Sequence, residues 1–403
     1  MHIAVVSLGA FGHINPTLSL VTELVNRGVR VTYFTTENMR KVIEPTGARF
    51  VPMKSWMADN DKHNDTKEAS KEEKKEEKKD DNISAIVPFL FLNEAGAFID
   101  DILAVLKEDK PDAILHDFAG IAGTIAADVL KVPNVMIYTS YPANEHYSVA
   151  ANMHIPADHP MRFAAEAISD GFVEKYGCRK IHVEDIFDGQ GDLNLVMVQK
   201  KLVPNSESFG DDFVFNGVQI GKRSTFGSWT APQNGKPLLY SSLGTAFNNW
   251  PEYYPILFDA VRDLDINVFA ALGAIDPATL KDVPANVELG QMVPQLDLLS
   301  QASVFITHAG MGGTGEAIYY GVPMIALPQM DEQAITARQI EKLGLGFAFC
   351  DKSQITSEKL KAAIVTCLND PSYKAKAKEF SDDMKSLGGA KASADAVLNF
   401  LKK

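Results

Sequence analysis

The sequence predicts an α/β protein built from two doubly wound parallel-sheet domains with a cleft between them. Three observations lead there. The first 55 residues run strand, helix, strand at the length of one βαβ unit, which implies a parallel sheet. A second strand–helix series opens near Pro237. Between the two lies a stretch from about 204 to 236, rich in Gly, Ser, Asn and Asp, of the kind that joins domains. A length of 403 residues exceeds one ordinary core and suits two.

The elements follow in order. His2 to Ser7 is a short apolar run, and Val31 to Thr35 is β-branched and aromatic; both read as strands. Between them Leu18, Val21, Leu24 and Val25 repeat at helical spacing, with Asn15 and Pro16 as an N-cap and first-turn pair and Gly28 closing the helix. Ala113-Ile114-Leu115, an Ala-rich helix near 121–130, Val135 to Tyr138 and Leu195 to Val198 extend the first series. The second contains Leu238 to Tyr240, Val268 to Ala271, Val304 to Ile306 and Met324 to Leu327. At the end, Ala394, Val397, Leu398 and Leu401 share one helical face, so this segment is expected to dock. The expected boundaries are a first domain over 1–215, a linker over 216–236, a second domain over 237–385 and a terminal helix over 386–403.

One segment departs from the pattern. From Asp59 to Asn82 the chain is almost free of large apolar residues and includes the run Lys71 to Lys79. Like charges four apart (Glu72 and Glu76, Lys74 and Lys78) oppose a helix, so a solvated loop is expected; a lid over the acceptor is the functional alternative.

Composition narrows the function. Hydrophobic residues make up 46% and charged residues 23%, which are globular values. No apolar run is long enough to span a membrane, and the N-terminus reads as a strand and not as a secretory signal. Three scattered cysteines suit a reducing cytosol. A net charge of −13 denies nucleic acid a broad basic surface, so no nucleic-acid partner is expected.

Two motifs carry chemistry. Strand one runs into Gly9-Ala10-Phe11-Gly12-His13, at the strand carboxyl ends where open α/β sheets bind ligands. A histidine there is more often structural than catalytic. Strand four, however, ends in His116-Asp117 on the same side of the sheet. A carboxylate on one imidazole nitrogen would let the other take a proton from a hydroxyl. His116 competes for that role, although neighbouring strand residues face opposite ways. Asp117 has its own structural alternative as the N-cap of the next helix.

The second motif is Val304 to Thr307 running into His308-Ala309-Gly310-Met311-Gly312-Gly313-Thr314-Gly315-Glu316 and a helix. Glycines let N–H groups converge and a helix N-terminus adds positive potential, so the turn suits a phosphate. Close helix packing is the structural alternative. No Walker lysine follows, and strand one lacks a Gly-x-Gly-x-x-Gly fingerprint. Asp263-Leu264-Asp265 straddles a helix end and a strand start, so it is read as chance, and no metal is expected.

Taken together, Met292-Val293-Pro294-Gln295-Leu296, Thr307-His308-Ala309-Gly310, Glu316, Gly321-Val322-Pro323, Pro328 and Glu332-Gln333 resemble the donor signature of family-1 nucleotide-sugar glycosyltransferases. Ser242-Leu243-Gly244-Thr245 resembles their phosphate turn, and Gly12-His13-Ile14-Asn15-Pro16 their catalytic loop. The likeness is to bacterial macrolide-type and flavonoid-accepting members and covers nearly the whole chain, least well at 59–82 and 141–192.

The resemblance implies the GT-B architecture: two facing Rossmann-like domains, with the C-terminal helix packing back on the first. It implies His13 as catalytic base with Asp117 as its partner. Ser242, Thr245, His308, Gly312 and Gly313 fall on phosphate-contacting positions, and Glu316 on the ribose-contacting one. Met292, Val293, Gln295, Gly310 and Thr314 complete the donor site, with Glu332 and Gln333 against the sugar. Met292 stands where plant members have tryptophan, and Gly312-Gly313 replaces an Asn-Ser pair; these departures leave uridine or thymidine diphosphate open. The implied reaction is metal-independent, cofactor-free, inverting transfer of a hexose, glucose from UDP-glucose, to a hydroxyl of a small lipophilic acceptor such as a flavonoid or macrolide. Phe89, Tyr141, His146 and Tyr147 are the expected acceptor lining, from apolar and aromatic character after a strand end. The alternatives are a sugar-nucleotide hydrolase or 2-epimerase, or a non-catalytic partner subunit. Oligomeric state is not legible.

Overall fold

The computed structural model describes residues 1–57, 83–150, 158–221, 227–244 and 250–402. The expectations for Thr245 and for the charged segment 59–82 lie outside the described residues. Two all-parallel sheets are present, as the sequence predicts. The chain divides into two compact units, Met1–Met197 with Val203–Gln219 and Ala390–Lys403, and Val198–Leu202 with Ile220–Gly389.

The first unit holds β1 (His2–Val6), β2 (Arg30–Thr36), β3 (Arg49–Met53), β4 (Ala113–Asp117), β5 (Asn134–Tyr138), β6 (Leu193–Val196) and β7 (Phe213–Phe215). Their order is β3-β2-β1-β4-β5-β6-β7. The central strands β1, β4 and β5 are buried at every position, as strands covered on both faces must be. Chain order reverses between β1 and β4, which are paired from Ile3 with Ala113 to Val6 with His116. Loops leaving the carboxyl ends of these two strands diverge and leave a crevice. The helix Gly389–Phe400 contributes Ala394 and Val397 to the core formed by Ile3, Val5, Leu20 and Leu24. Its buried Ser393 hydroxyl accepts from Asn216 Nδ2 at 3.0 Å.

The second unit holds β8 (Leu238–Ser242), β9 (Asn267–Ala271), β10 (Val287–Gly290), β11 (Val304–Thr307), β12 (Met324–Ala326) and β13 (Gly346–Ala348). The order β10-β9-β8-β11-β12-β13 reverses between β8 and β11. Ser242 pairs with Thr307 at the carboxyl ends of those two strands.

One local expectation is corrected. The helix after β1 starts at Phe11, not after Asn15, and runs to Asn26. The N–H groups of His13 and Ile14 both reach the Ala10 carbonyl at 3.0 Å, so Ala10 is the N-cap and Pro16 lies inside the helix. Gly9 makes this early start possible. A Cβ there would lie 1.7 Å from Thr36 Oγ1, so only glycine lets the chain turn this close to β2. His13 is therefore fixed in the first helical turn and not in a loop.

Candidate functional site

In the first unit, β1 and β4 deliver His13 and Asp117 to the crevice where strand order reverses. His13 Nδ1 lies 2.6 Å from Asp117 Oδ2. The aspartate is 1% exposed and the histidine 19%, so a buried carboxylate orients a ring that solvent and ligands reach. Asp117 does two jobs. Its Oδ1 accepts from the N–H groups of Ala119 at 3.1 Å and Gly120 at 3.0 Å, locking the turn before the helix Ile121–Leu130. The capping and orienting roles coexist because they use different oxygens.

His116 faces the other way. Its Nδ1 meets the Asp117 carbonyl at 2.9 Å, and its Nε2 lies 2.6 Å from Asn134 Oδ1 and 3.2 Å from Thr124 Oγ1. Burial holds its pKa below the ordinary histidine value. A Cβ on Gly123 would sit 2.8 Å from the His116 Cβ, so the helix packs directly on this ring. His116 braces the strand end and leaves the crevice to Asp117.

Aromatic rings extend from the pair. Phe118, half-buried, stands 5.5 Å from the His13 ring, 5.9 Å from Phe91 and 6.0 Å from Phe187, centroid to centroid. Phe118 also lines a cavity of about 190 Å³ beside the helix Ile121–Leu130, with Ile125, Met136 and Ile186. Of the four expected acceptor residues, Phe89 packs on the core and meets Trp56 edge-on at 6.0 Å. Tyr141 is buried with its ring 6.1 Å from Tyr147. His146 is exposed and lies 3.3 Å from Glu145. Sequence reading passed over Phe118 and Phe187, although Phe118 directly follows Asp117.

In the second unit, β11 ends in a turn where Ala309 adopts φ 62°, a left-handed conformation costing an L-residue roughly 1–2 kcal/mol. Its N–H bonds Thr307 Oγ1 at 3.1 Å. The turn places Gly310 as N-cap of the helix Met311–Tyr320, with Gly312 and Gly313 in its first turn. First-turn N–H groups have no intrahelical acceptor and carry partial positive charge, so an anion finds donors there. No Cβ contact within 4 Å would arise at Gly312, so that position is open.

The His308 ring fills the space between two glycines. A Cβ on Gly310 would come within 2.4 Å of its Nε2, and one on Gly244 within 2.8 Å. Burial pushes its pKa down to about 4, against a hydrogen bond with the Ser242 backbone that works the other way. The imidazole is thus neutral near pH 7. Its Nδ1 and the buried Thr314 Oγ1 have no hydrogen-bond partner among the described residues. Ser242, at the end of β8, is buried, and its Oγ is 3.4 Å from the Gly244 N–H.

Behind the turn, Gln295 Nε2 donates to Glu316 Oε2 at 2.6 Å, and the Tyr240 hydroxyl donates to Gln295 Oε1 at 3.1 Å. Gln333 is buried, and its Oε1 takes the Gln329 N–H at 2.9 Å, bracing the turn that precedes Glu332. Met292 is 44% exposed, beside half-buried Val293. The structure thus gathers Ser242, His308, Gly310, Gly312 and Gly313 round one turn, with Gln295 and Glu316 behind it. Tyr240 was not anticipated, although it lies two residues before Ser242 on the same strand face. Among the described residues no group of three or more His, Cys, Asp or Glu side chains is arranged to hold a metal ion.

Comparison with known proteins identifies the family and the fold. Residues 255–393 match the family described as erythromycin biosynthesis protein CIII-like, C-terminal domain. The chain is 33% identical to the NDP-glycosyltransferase YjiC of Bacillus subtilis over 403 residues, covering 100% of this chain and 98% of that protein. It is 30% identical to the oleandomycin glycosyltransferase of Streptomyces antibioticus, covering 98% and 90%. The crystal structure of CalG4, the calicheamicin glycosyltransferase, superimposes with a TM-score of 0.82 at 28% identity, covering 100% of this chain and 98% of the other.

Proposed function

The chain belongs to the family-1 nucleotide-sugar glycosyltransferases, natural-product type, and from that premise we propose that it transfers glucose from UDP-glucose to a hydroxyl of a small lipophilic acceptor with inversion. The observation that carries this reading is the 2.6 Å contact between His13 and a buried aspartate at the crevice of the first sheet. With Nδ1 engaged by Asp117, Nε2 is the nitrogen that takes the acceptor proton. The carboxylate then offsets the imidazolium charge that proton transfer creates. The acceptor oxygen bonds to the anomeric carbon as the bond from that carbon to the diphosphate breaks. A single displacement turns an α-linked donor into a β-O-glycoside.

The leaving diphosphate gains charge as the bond breaks. In this reading the first turn of the helix Met311–Tyr320, Ser242 and neutral His308 donate to it. The buried Nδ1 of His308 has no hydrogen-bond partner among the described residues, and in this reading it carries the single N–H of the neutral ring and donates it to the diphosphate. Glu316 accepts from the ribose hydroxyls, and Glu332 and Gln333 read the sugar. Phe118, with Phe91 and Phe187, gives an aromatic acceptor a face beside His13.

The test is nucleotide release from UDP-glucose and TDP-glucose, with and without a panel of flavonoid and macrolide acceptors, for the wild type and His13→Ala. Acceptor-dependent release with UDP-glucose, lost in the variant, and a β-linked product by NMR are expected. Release that needs no acceptor would instead identify a hydrolase or epimerase.

A further inference from the structure

We infer that Tyr240 is a positioning residue of the donor site, its hydroxyl fixing the Gln295 amide and, through it, the Glu316 carboxylate that reads the ribose. The inference rests on the donor reading above and extends it to a residue with no ligand contact of its own.

The argument begins in the sheet. Tyr240 on β8 is in register with Phe305 on β11 and with Phe269 on β9. Its ring lies parallel to Phe305, 8° apart with centroids at 4.9 Å, and 6.5 Å from Phe269. Fully buried between two aromatic neighbours, it cannot swing, and its hydroxyl occupies one place. That hydroxyl donates to Gln295 Oε1, and Gln295 Nε2 donates to Glu316 Oε2. Only one amide orientation serves both partners: a flip would set a carbonyl oxygen against a carboxylate. Burial raises the phenol above its ordinary pKa, so it stays protonated and remains the donor.

The relay also explains why a glutamine opens the helix Gln295–Gln301. A carboxylate on a helix has free rotamers unless something holds it. The charge-assisted bond from Gln295 restrains one oxygen of Glu316, and the Tyr240 hydroxyl restrains Gln295.

The experiment is calorimetric titration of the full chain with UDP and with 2′-deoxy-UDP. Tyr240→Phe keeps every ring atom and removes the hydroxyl, and Gln295→Leu is the second variant. The wild type should prefer UDP by about tenfold or more, the scale of a hydrogen bond to a charged group. Both variants should cut that preference at least about fivefold, weakening UDP more than 2′-deoxy-UDP, which keeps only its 3′-hydroxyl for Glu316. In turnover, Tyr240→Phe should raise donor KM while kcat and acceptor KM change little. Equal weakening of both nucleotides would mark a packing defect and overturn the inference. An unchanged preference in Tyr240→Phe would overturn it too. A wild type that binds neither nucleotide would instead fail the donor reading itself.

Discussion

The neutral His308 makes the second unit acid-sensitive in a predictable window. In the folded chain burial holds this imidazole at about 4, against 6.5 for an ordinary histidine. The unfolded chain therefore binds more protons at this position throughout the interval between those values, and stability falls as pH falls. At pH 7.5 both states are neutral and the group contributes nothing. At pH 5 the unfolded imidazole is mostly protonated and the folded one is not, a loss of about 2 kcal/mol. Below about pH 4 the folded ring protonates too, and the loss levels off near ~3 kcal/mol. The assay is urea unfolding at pH 7.5 and pH 5, followed by tryptophan emission; Trp229 and Trp250 both belong to the second unit. Burial lowers the pKa of His116 as well, so the decisive quantity is the difference from His308→Gln, which cannot titrate. The wild type should lose about 2 kcal/mol more than the variant between the two pH values. An equal loss in both proteins would show that His308 is not held neutral by burial, and would remove the argument that it meets the diphosphate as an uncharged donor.

Four further outcomes follow from the same geometry. Asp117→Asn keeps an acceptor for the Ala119 and Gly120 N–H groups but turns an amide NH₂ towards His13 Nδ1, forcing the ring proton onto Nε2; kcat should fall by roughly 10³–10⁴ with donor affinity unchanged, by steady-state kinetics and nucleotide titration. Gly310→Ala puts a methyl 2.4 Å from His308 Nε2, so it should destabilise the second unit by about 1–3 kcal/mol and weaken UDP binding, measured by denaturation and calorimetry. Gly312→Asn meets open space and replaces glycine within a helix, so thermal melting should show equal or higher stability, with donor KM no worse. Phe118→Ala should raise the KM of aromatic acceptors by roughly 3–10-fold and leave nucleotide binding alone.

The strands that sequence reading found and missed divide by their place in the sheets. The apolar runs it identified are all interior: β1, β2, β4, β5 and β6 in one sheet, and β8, β9, β11 and β12 in the other. Those it missed are β3, β7, β10 and β13, the four edges. A central parallel strand is covered on both faces and must be apolar throughout, whereas an edge strand with an open side need not be. Glu288 in β10 and Arg49 and Pro52 in β3 break the apolar run. The helix start at Phe11 was misread for a related reason: Asn15-Pro16 is a genuine cap signature, but the close approach of Gly9 to Thr36 decides the turn, and that contact joins residues 27 apart.

Site geometry was legible where chemistry sits at a strand end and obscure where it depends on a neighbour in space. His13 and Asp117 lie 104 residues apart, yet Asp117 ends one recognisable central strand and His13 lies just beyond the end of its neighbour, so their approach could be anticipated from strand order. Tyr240 lies in plain view inside a strand and reads as core, which it also is. Its second task exists only because β8 and β11 are neighbours and the helix from Gln295 packs against β8 and the helix Met311–Tyr320, and neither fact is written in the local sequence. Periodicity reports which face a residue occupies, while hydrogen-bond relays are set by which elements share that face. The two sheets make the same use of this: in each, the strand pair at which chain order reverses carries the polar residues, and aromatic or glycine neighbours hold them in one conformation. A sequence reading that ranks residues by distance from such a reversal, and then asks which buried hydroxyls lie two residues before them, would have reached Tyr240 from Ser242.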